Sequence, residues 1–472
     1  MTLINSRRAP SIDQVAPSGG ASAASRRQFV KTLGAAVAAG TWLREAAAAI
    51  AAAAPQPVAP SAASASPVEQ LLRQAVLKRE AIDQFLDPTA RVWAKFHPCY
   101  GYLLRNAFLR DGVDGARTLS RYDAAGRRHQ ANFPDQPCRI NTYGDSFTQG
   151  HQVSDGETWQ EVLAAHFCEP IRNYGIGGFG VYQAYRRLQE IEADDRGAPF
   201  VVLNIWGDDH LRSIAAWRWL SFPPEVQETM GGEMFHANPW DHARLDAKTG
   251  ALVELKNPCS TPESLYDLCD ADFVLDAFGE DEVVHAMAAI RTGIVVNERP
   301  LERMATAAEF TELDLSDPAT VRSSTTRLYH CYAVRVGMKI VERLQGQLQA
   351  QNKKLMILLS YPQGSVWRHC MRQTTESSEF IDWHPQEFRD FLAARQIPFV
   401  DTVTCHVAEF DRLGMDAKDY VDRYYIGHYN PTGNHFFAHA VKPSLVDWLD
   451  PKPPAYRQSD DPPIAFEGYL PS

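Results

Sequence analysis

Two residue types that together can activate a hydroxyl stand far apart in this chain. Tyr143-Gly144-Asp145-Ser146-Phe147-Thr148-Gln149-Gly150 follows a short strand-like segment. Much later, Gly427-His428-Tyr429-Asn430-Pro431-Thr432-Gly433-Asn434-His435 precedes a helical stretch. A serine hydroxyl is a weak nucleophile until a base takes its proton. A histidine in a loop at the carboxyl edge of a sheet can be that base. Between the two lies Asn173-Tyr174-Gly175-Ile176-Gly177-Gly178-Phe179-Gly180, whose glycines let a backbone N–H approach a ligand oxygen. Each segment alone has a plainer reading. Gly-Asp-Ser forms ordinary turns, a glycine run can be a flexible turn, and a loop histidine can cap a helix. His428 lies in the loop before Asn430-Pro431, where its ring can turn toward Ser146. His435 falls in the first helical turn beside Phe436-Phe437 and reads as packing or capping.

These segments need a frame to bring them together. Arg139 to Tyr143 is a strand candidate, and Trp159, Val162, Leu163 and His166-Phe167 then recur at helical spacing. Ile171 to Tyr174 reads as the next strand. Val181, Tyr185, Leu188 and Ile191 form a second helical stripe. The run Phe200 to Trp206 (FVVLNIW) is almost wholly apolar, as in a strand buried on both faces. After residue 213 the rhythm breaks until about 327, with Pro-rich stretches, a hairpin around Lys248-Thr249-Gly250 and a helix start at Thr261-Pro262-Glu263. It resumes with a helix carrying Val334, Met338, Val341, Leu344 and Leu348, then the strand Leu355 to Leu359. A helix with Phe388, Phe391 and Leu392, the strand Phe399-Val400 and a helix from Asn434 follow. Alternating strand and helix predicts a parallel sheet with helices on both sides, in which the turn after a buried strand exposes a serine at the carboxyl edge. Upstream, 68–86 has helical spacing, and 100–128 reads as a hairpin over the main domain.

In this order the three segments resemble the SGNH (GDSL-like) hydrolase family, over residues 138–212 and about 350–445. The resemblance implies a flavodoxin-like three-layer α/β/α fold and an acyl-enzyme mechanism with no cofactor and no metal. It assigns Ser146 as nucleophile and His428 as base. It also makes the N–H groups of Ser146 and Gly178 oxyanion donors, with Gly177 close behind. Two departures stand out. The family's third block, G-x-N-D, here reads Trp206-Gly207-Asp208-Asp209-His210, so Asp208 stands where an asparagine donor is expected in the oxyanion hole. A carboxylate cannot donate unless protonated. The family's aspartate three residues before the histidine is here Tyr425, and the nearest acid is Asp422. The third member is therefore Asp422 after a shift in the loop, or the pair is a Ser-His dyad. Read instead as a metal cluster, Asp208, Asp209 and His210 fail because two adjacent acids do not easily face one ion.

Residues 1–54 contain Ser25-Arg26-Arg27-Gln28-Phe29-Val30-Lys31, a short apolar stretch and many Ala-x-Ala sites, which resembles a twin-arginine export signal. Twin-arginine translocation machinery is thus an expected partner, and the periplasm or the exterior the expected location. The stretch is too short for a stable membrane anchor. Residues 55–67 are a Pro/Ala/Ser linker, 68–137 an N-terminal extension, 138–450 the hydrolase domain interrupted at 213–327, and 451–472 a Pro-rich tail. The total charge is −11, and the first 54 residues contribute +4, so the remainder carries −15. Such a surface repels phosphate backbones and excludes a nucleic-acid binder. The eight cysteines are even in number and widely spaced, which allows disulfides in an oxidising compartment or buried free thiols. The favoured function is an esterase that removes acyl groups, acetyl first among them, from a glycan or a small ester. An O-acyltransferase using the same serine and a non-catalytic glycan-binding protein are the alternatives.

Overall fold

The computed structural model describes residues 65–224, 226–227, 234, 236–373 and 381–457. The signal-like segment, all but the end of the linker and residues 458–472 lie outside the described residues.

Eleven strands are formed among the described residues. In chain order they are β1 (Ala94–His97), β2 (Gly101–Leu104), β3 (Ala107–Leu109), β4 (Thr118–Ser120), β5 (Ile140–Tyr143), β6 (Arg172–Asn173), β7 (Phe200–Trp206), β8 (His242–Leu245), β9 (Leu252–Leu255), β10 (Lys354–Ser360) and β11 (Phe399–Asp401). Five of them make one all-parallel sheet in the spatial order β11-β10-β7-β5-β6. The central β7 is buried at all seven positions, as its unbroken apolar run requires. Val201, Leu203 and Ile205 there have no exposed surface, and each such burial stabilises the fold by about 1.5–3 kcal/mol. The edge strand β6 is shorter than the sequence predicts, because Tyr174 already leads into the glycine loop.

Helices flank this sheet in two groups. Trp159–Phe167 packs with the C-terminal Pro431–Trp448 helix, and Val181–Glu192 and Asp209–Ile214 pack with Pro318–Ala350. From β5 the chain moves outward to β6, then crosses back to β7 on the other side of β5. A crevice opens at the carboxyl ends of strands where the order reverses in this way, and the serine turn leaves β5 at that point.

The remaining parts do not stand apart. The predicted helix over 68–86 is two helices, Pro67–Gln74 and Arg79–Leu86, and the predicted single hairpin is two, β1-β2 and β3-β4. The expected hairpin around Gly250 is β8-β9. The helix that restores the βα rhythm starts at Pro318, behind an Asp317 cap and before the predicted end of the insertion. Trp217, Val284 and Leu301 of the insertion and Leu72, Ile82 and Tyr102 of the extension share one core with Leu203. All eight cysteines are free thiols. Among the described residues no helix is long and apolar enough to cross a membrane.

Candidate active site

The serine turn is built by backbone devices that the local sequence supplies. Gly144 has φ +146, and a Cβ there would lie 2.5 Å from the Asn204 carbonyl oxygen of β7, so only glycine fits. Asp145 caps the one-turn helix Ser146–Gln149, its Oδ1 accepting from the Phe147 N–H at 2.9 Å, and Gly150 ends that helix in the left-handed conformation. Ser146 is thereby fixed at a helix start, largely buried. Arg128, from the N-terminal extension, donates to the carbonyls of Gln149 and Gly150 at 2.5 Å and pins the exit of the turn.

His428 arrives from the other end of the chain. Asn430 caps the Pro431–Trp448 helix through the Gly433 N–H, and Tyr425 and Tyr429 bridge the loop before it. Both tyrosine hydroxyls lie within reach of Nε2 of the buried His406, at 3.0 Å for Tyr429 and 3.3 Å for Tyr425. The structure places His428 Nε2 2.8 Å from Ser146 Oγ. Burial, then the neighbouring His151 and Arg212, hold His428 well below the usual histidine value. Its ring is therefore neutral at neutral pH and able to take the serine proton.

The third position corrects the expectation. Asp422 is not brought to His428: it lies on the solvent face of the Ala417–Tyr424 helix, where Lys418 one turn earlier holds it in an ion pair. Tyr425, three residues before the histidine, is turned into the core toward His406 and the Tyr361 carbonyl. The residue that meets His428 is Gln152, from the loop after the Ser146–Gln149 helix. Its Oε1 lies 3.1 Å from His428 Nδ1 and accepts from the His428 backbone N–H at 2.9 Å. Sequence reasoning missed Gln152 because it lies six residues after Ser146, outside the serine motif, and its buried, left-handed backbone (φ +68) leaves no mark in the sequence. His435, the other histidine weighed, is on the solvent side of its helix, with His166 and His439 for neighbours.

On the far side of the serine the third block also departs from expectation. Asp208 is held in an ion pair by Arg212, one helical turn on, and a carboxylate in such a pair can only accept. Arg212 is buried, and it also reaches Asp209 Oδ1 at 2.9 Å, the Phe179 carbonyl at 3.1 Å and Asp145 Oδ2 at 3.5 Å. Burial works against its charge, but Asp208, Asp209 and Asp145 outweigh that and raise it above the usual arginine value. Burial lifts Asp145, against the pull of Arg212, and burial and then Asp145 lift Asp209 well above the carboxylate range. The spacing Asp208-Asp209-x-x-Arg212 on one helix was the signal for this cluster. Gly178 has φ +84, and a Cβ there would fall 2.5 Å from the Tyr102 hydroxyl and 2.7 Å from Arg218 Nη1, so a glycine is required. The N–H groups of Ser146 and Gly178 have no acceptor among the described residues.

The arrangement is a hydroxyl hydrogen-bonded to a neutral imidazole at the switch point of a parallel sheet. Compared with known proteins, the chain matches no family model, and no curated protein is significantly similar to it.

Proposed function

We propose that this protein is a serine ester hydrolase of the SGNH type, with Ser146 as nucleophile and His428 as general base. The observation that carries the reading is the 2.8 Å contact of Ser146 Oγ with His428 Nε2, made by residues 282 positions apart at the sheet's carboxyl edge. The strand order supports it as well: numbered along the sheet alone, it is 2-1-3-4-5, the flavodoxin-like order.

In this reading Ser146 Oγ attacks the ester carbonyl carbon while His428 Nε2 takes its proton. The carbonyl oxygen gains the charge and turns to the N–H groups of Ser146 and Gly178. The C–O bond to the leaving group breaks, and His428 returns its proton to the departing alkoxide. Water, deprotonated by His428, then cleaves the acyl-enzyme and restores the serine. No metal or cofactor enters these steps. The signal-like segment supports an exported protein, periplasmic or secreted, and with it an acylated glycan as substrate.

The test is labelling by a fluorophosphonate probe, which reacts only with an activated serine. Labelling of the wild type at Ser146, lost in Ser146→Ala and His428→Ala, is the expected result. Absence of labelling in folded wild-type protein would replace the hydrolase by a non-catalytic glycan-binding protein. Transfer of the acyl group to an added sugar in preference to water would make it an O-acyltransferase.

A further inference from the structure

Gln152 occupies the place where a charged residue orients the base in serine hydrolases, and the neighbours of its amide leave one orientation open to it. We infer that Gln152, held by the Asp111 main chain of the N-terminal extension, is the positioning residue that fixes His428 as the tautomer with its proton on Nδ1. This rests on the hydrolase reading for its consequence in catalysis, but not for the tautomer itself.

The groups that hold the Gln152 amide have hydrogen-bonding roles that are not open to choice. The backbone N–H of His428 can only donate, so the Gln152 atom 2.9 Å from it is the amide oxygen. The Asp111 carbonyl can only accept, so the Gln152 atom 3.0 Å from it is the NH₂. Both ends agree, and the amide cannot be flipped without two clashes of like roles. The oxygen so fixed also lies 3.1 Å from His428 Nδ1. A neutral imidazole has one donor nitrogen and one acceptor. Nδ1 must therefore carry the hydrogen, and Nε2 is left as the lone pair facing Ser146 Oγ. The opposite tautomer would set an Nδ1 lone pair against the amide oxygen and present Nε2–H to the serine, which could then no longer give up its proton.

The clamp is itself anchored. Gln152 is 3% exposed and sits at φ +68, a left-handed position that persists only where the surroundings over-determine it. Asp111 is buried, and its Oδ1 accepts from the Thr118 hydroxyl at 2.5 Å, which ties the carbonyl that holds Gln152 to the β3-β4 hairpin. The extension thus supplies part of the catalytic geometry through Asp111 and Arg128. The charged and titratable groups around the His428 ring are His151, its edge-on ring 4.7 Å away, Arg212, and Asp145 beneath Ser146. None is a carboxylate on Nδ1, so the orienter is neutral.

The experiment is ¹⁵N NMR of the histidine side chains in the full chain, with the pH–rate profile of an acetyl ester beside it. Wild-type His428 should show a protonated Nδ1 and a bare Nε2. Gln152→Ala should lose that pattern and lower kcat by tenfold or more with KM nearly unchanged. Gln152→Glu sets a carboxylate beside Nδ1, and an opposite charge at that distance raises a histidine by about one to three pH units. The acid limb of kcat/KM should rise by that amount, which a merely structural residue would not cause. A wild-type His428 protonated on Nε2, or a Gln152→Glu enzyme with an unmoved acid limb, would overturn the inference. If Ser146 proves unreactive, the hydrolase reading fails while the NMR result still decides the tautomer.

Discussion

The two sides of Ser146 are built on opposite electrostatic plans. On one side Ser146, His428, Gln152 and Asp111 form a chain of neutral hydrogen bonds in which each donor meets an acceptor. On the other, one buried guanidinium, Arg212, faces three carboxylates, Asp145, Asp208 and Asp209. That side also leaves Trp206 Nε1, Arg212 Nε and both nitrogens of His210 without a hydrogen-bond partner among the described residues. A neutral chain lets a proton move from serine to imidazole without first separating it from a counter-charge. A desolvated charge cluster moves no proton cheaply, and what it contributes is the cost of taking it apart. In the hydrolase reading, reactivity therefore belongs to the neutral side and fixed geometry to the charged side.

The largest test of that division is on activity. Ser146→Ala and His428→Ala should each cost about 10⁴- to 10⁶-fold in kcat on a short-chain nitrophenyl ester, and the double variant no more than either, because the two act as a unit. Thermal melts should stay near wild type. Next in size is a stability effect on the other side. Arg212→Met leaves the buried acids Asp145 and Asp209 and the half-buried Asp208 with no cation and should cost about 3–5 kcal/mol, read from denaturant unfolding. Asp208→Asn removes one of three acids and should cost about 1–3 kcal/mol, with activity changed less than tenfold. A hundredfold gain in activity there would instead mean that position 208 faces the oxyanion.

Acid should also separate the two plans. Burial lowers His151 to about 4 in spite of Asp111, and lowers His384 to about 4 and His406 to about 3. Below pH 6.5 the unfolded chain protonates these rings while the folded one does not. Stability therefore falls as pH drops from about 6.5 toward 4, by up to about 1.4 kcal/mol per pH unit for each ring. Asp145 and Asp209, lifted by burial, act in the opposite sense, since the folded state takes up their protons more readily as pH falls. Melting temperatures measured from pH 7.5 to 4.5 should decline, and a flat profile would mean that these histidines are not buried as neutral rings. Over the part of that range in which the protein stays folded, kcat/KM should hold level through pH 6.5, because His428 titrates well below that value. The smallest effect is His435→Ala, on the solvent side of its helix, which should change turnover less than tenfold. If it abolished activity while His428→Ala did not, the assignment of the base would be wrong.

What could be read from the sequence was what short-range chemistry controls. The apolar run at 200–206 could only be a strand buried on both faces. Gly144, Asp145 and Gly150 specify their own turn, and Asn430-Pro431 marks a helix start with His428 just ahead of it. Alternation of these elements implied a parallel sheet, and the pairing of Ser146 with His428 follows once the sheet is closed. What the tertiary structure alone decided were the partners of those groups. The choice of Gln152 over Asp422 depends on a carbonyl some 40 residues upstream and on a left-handed backbone at a non-glycine residue. The pairing of Asp208 with Arg212 was open to a helical reading of 208–212, but its depth of burial was not, and burial sets how strongly those charges hold one another. A hydrogen bond or an ion pair is selected by the groups that remain after water is excluded, and which groups those are is a property of the packed molecule.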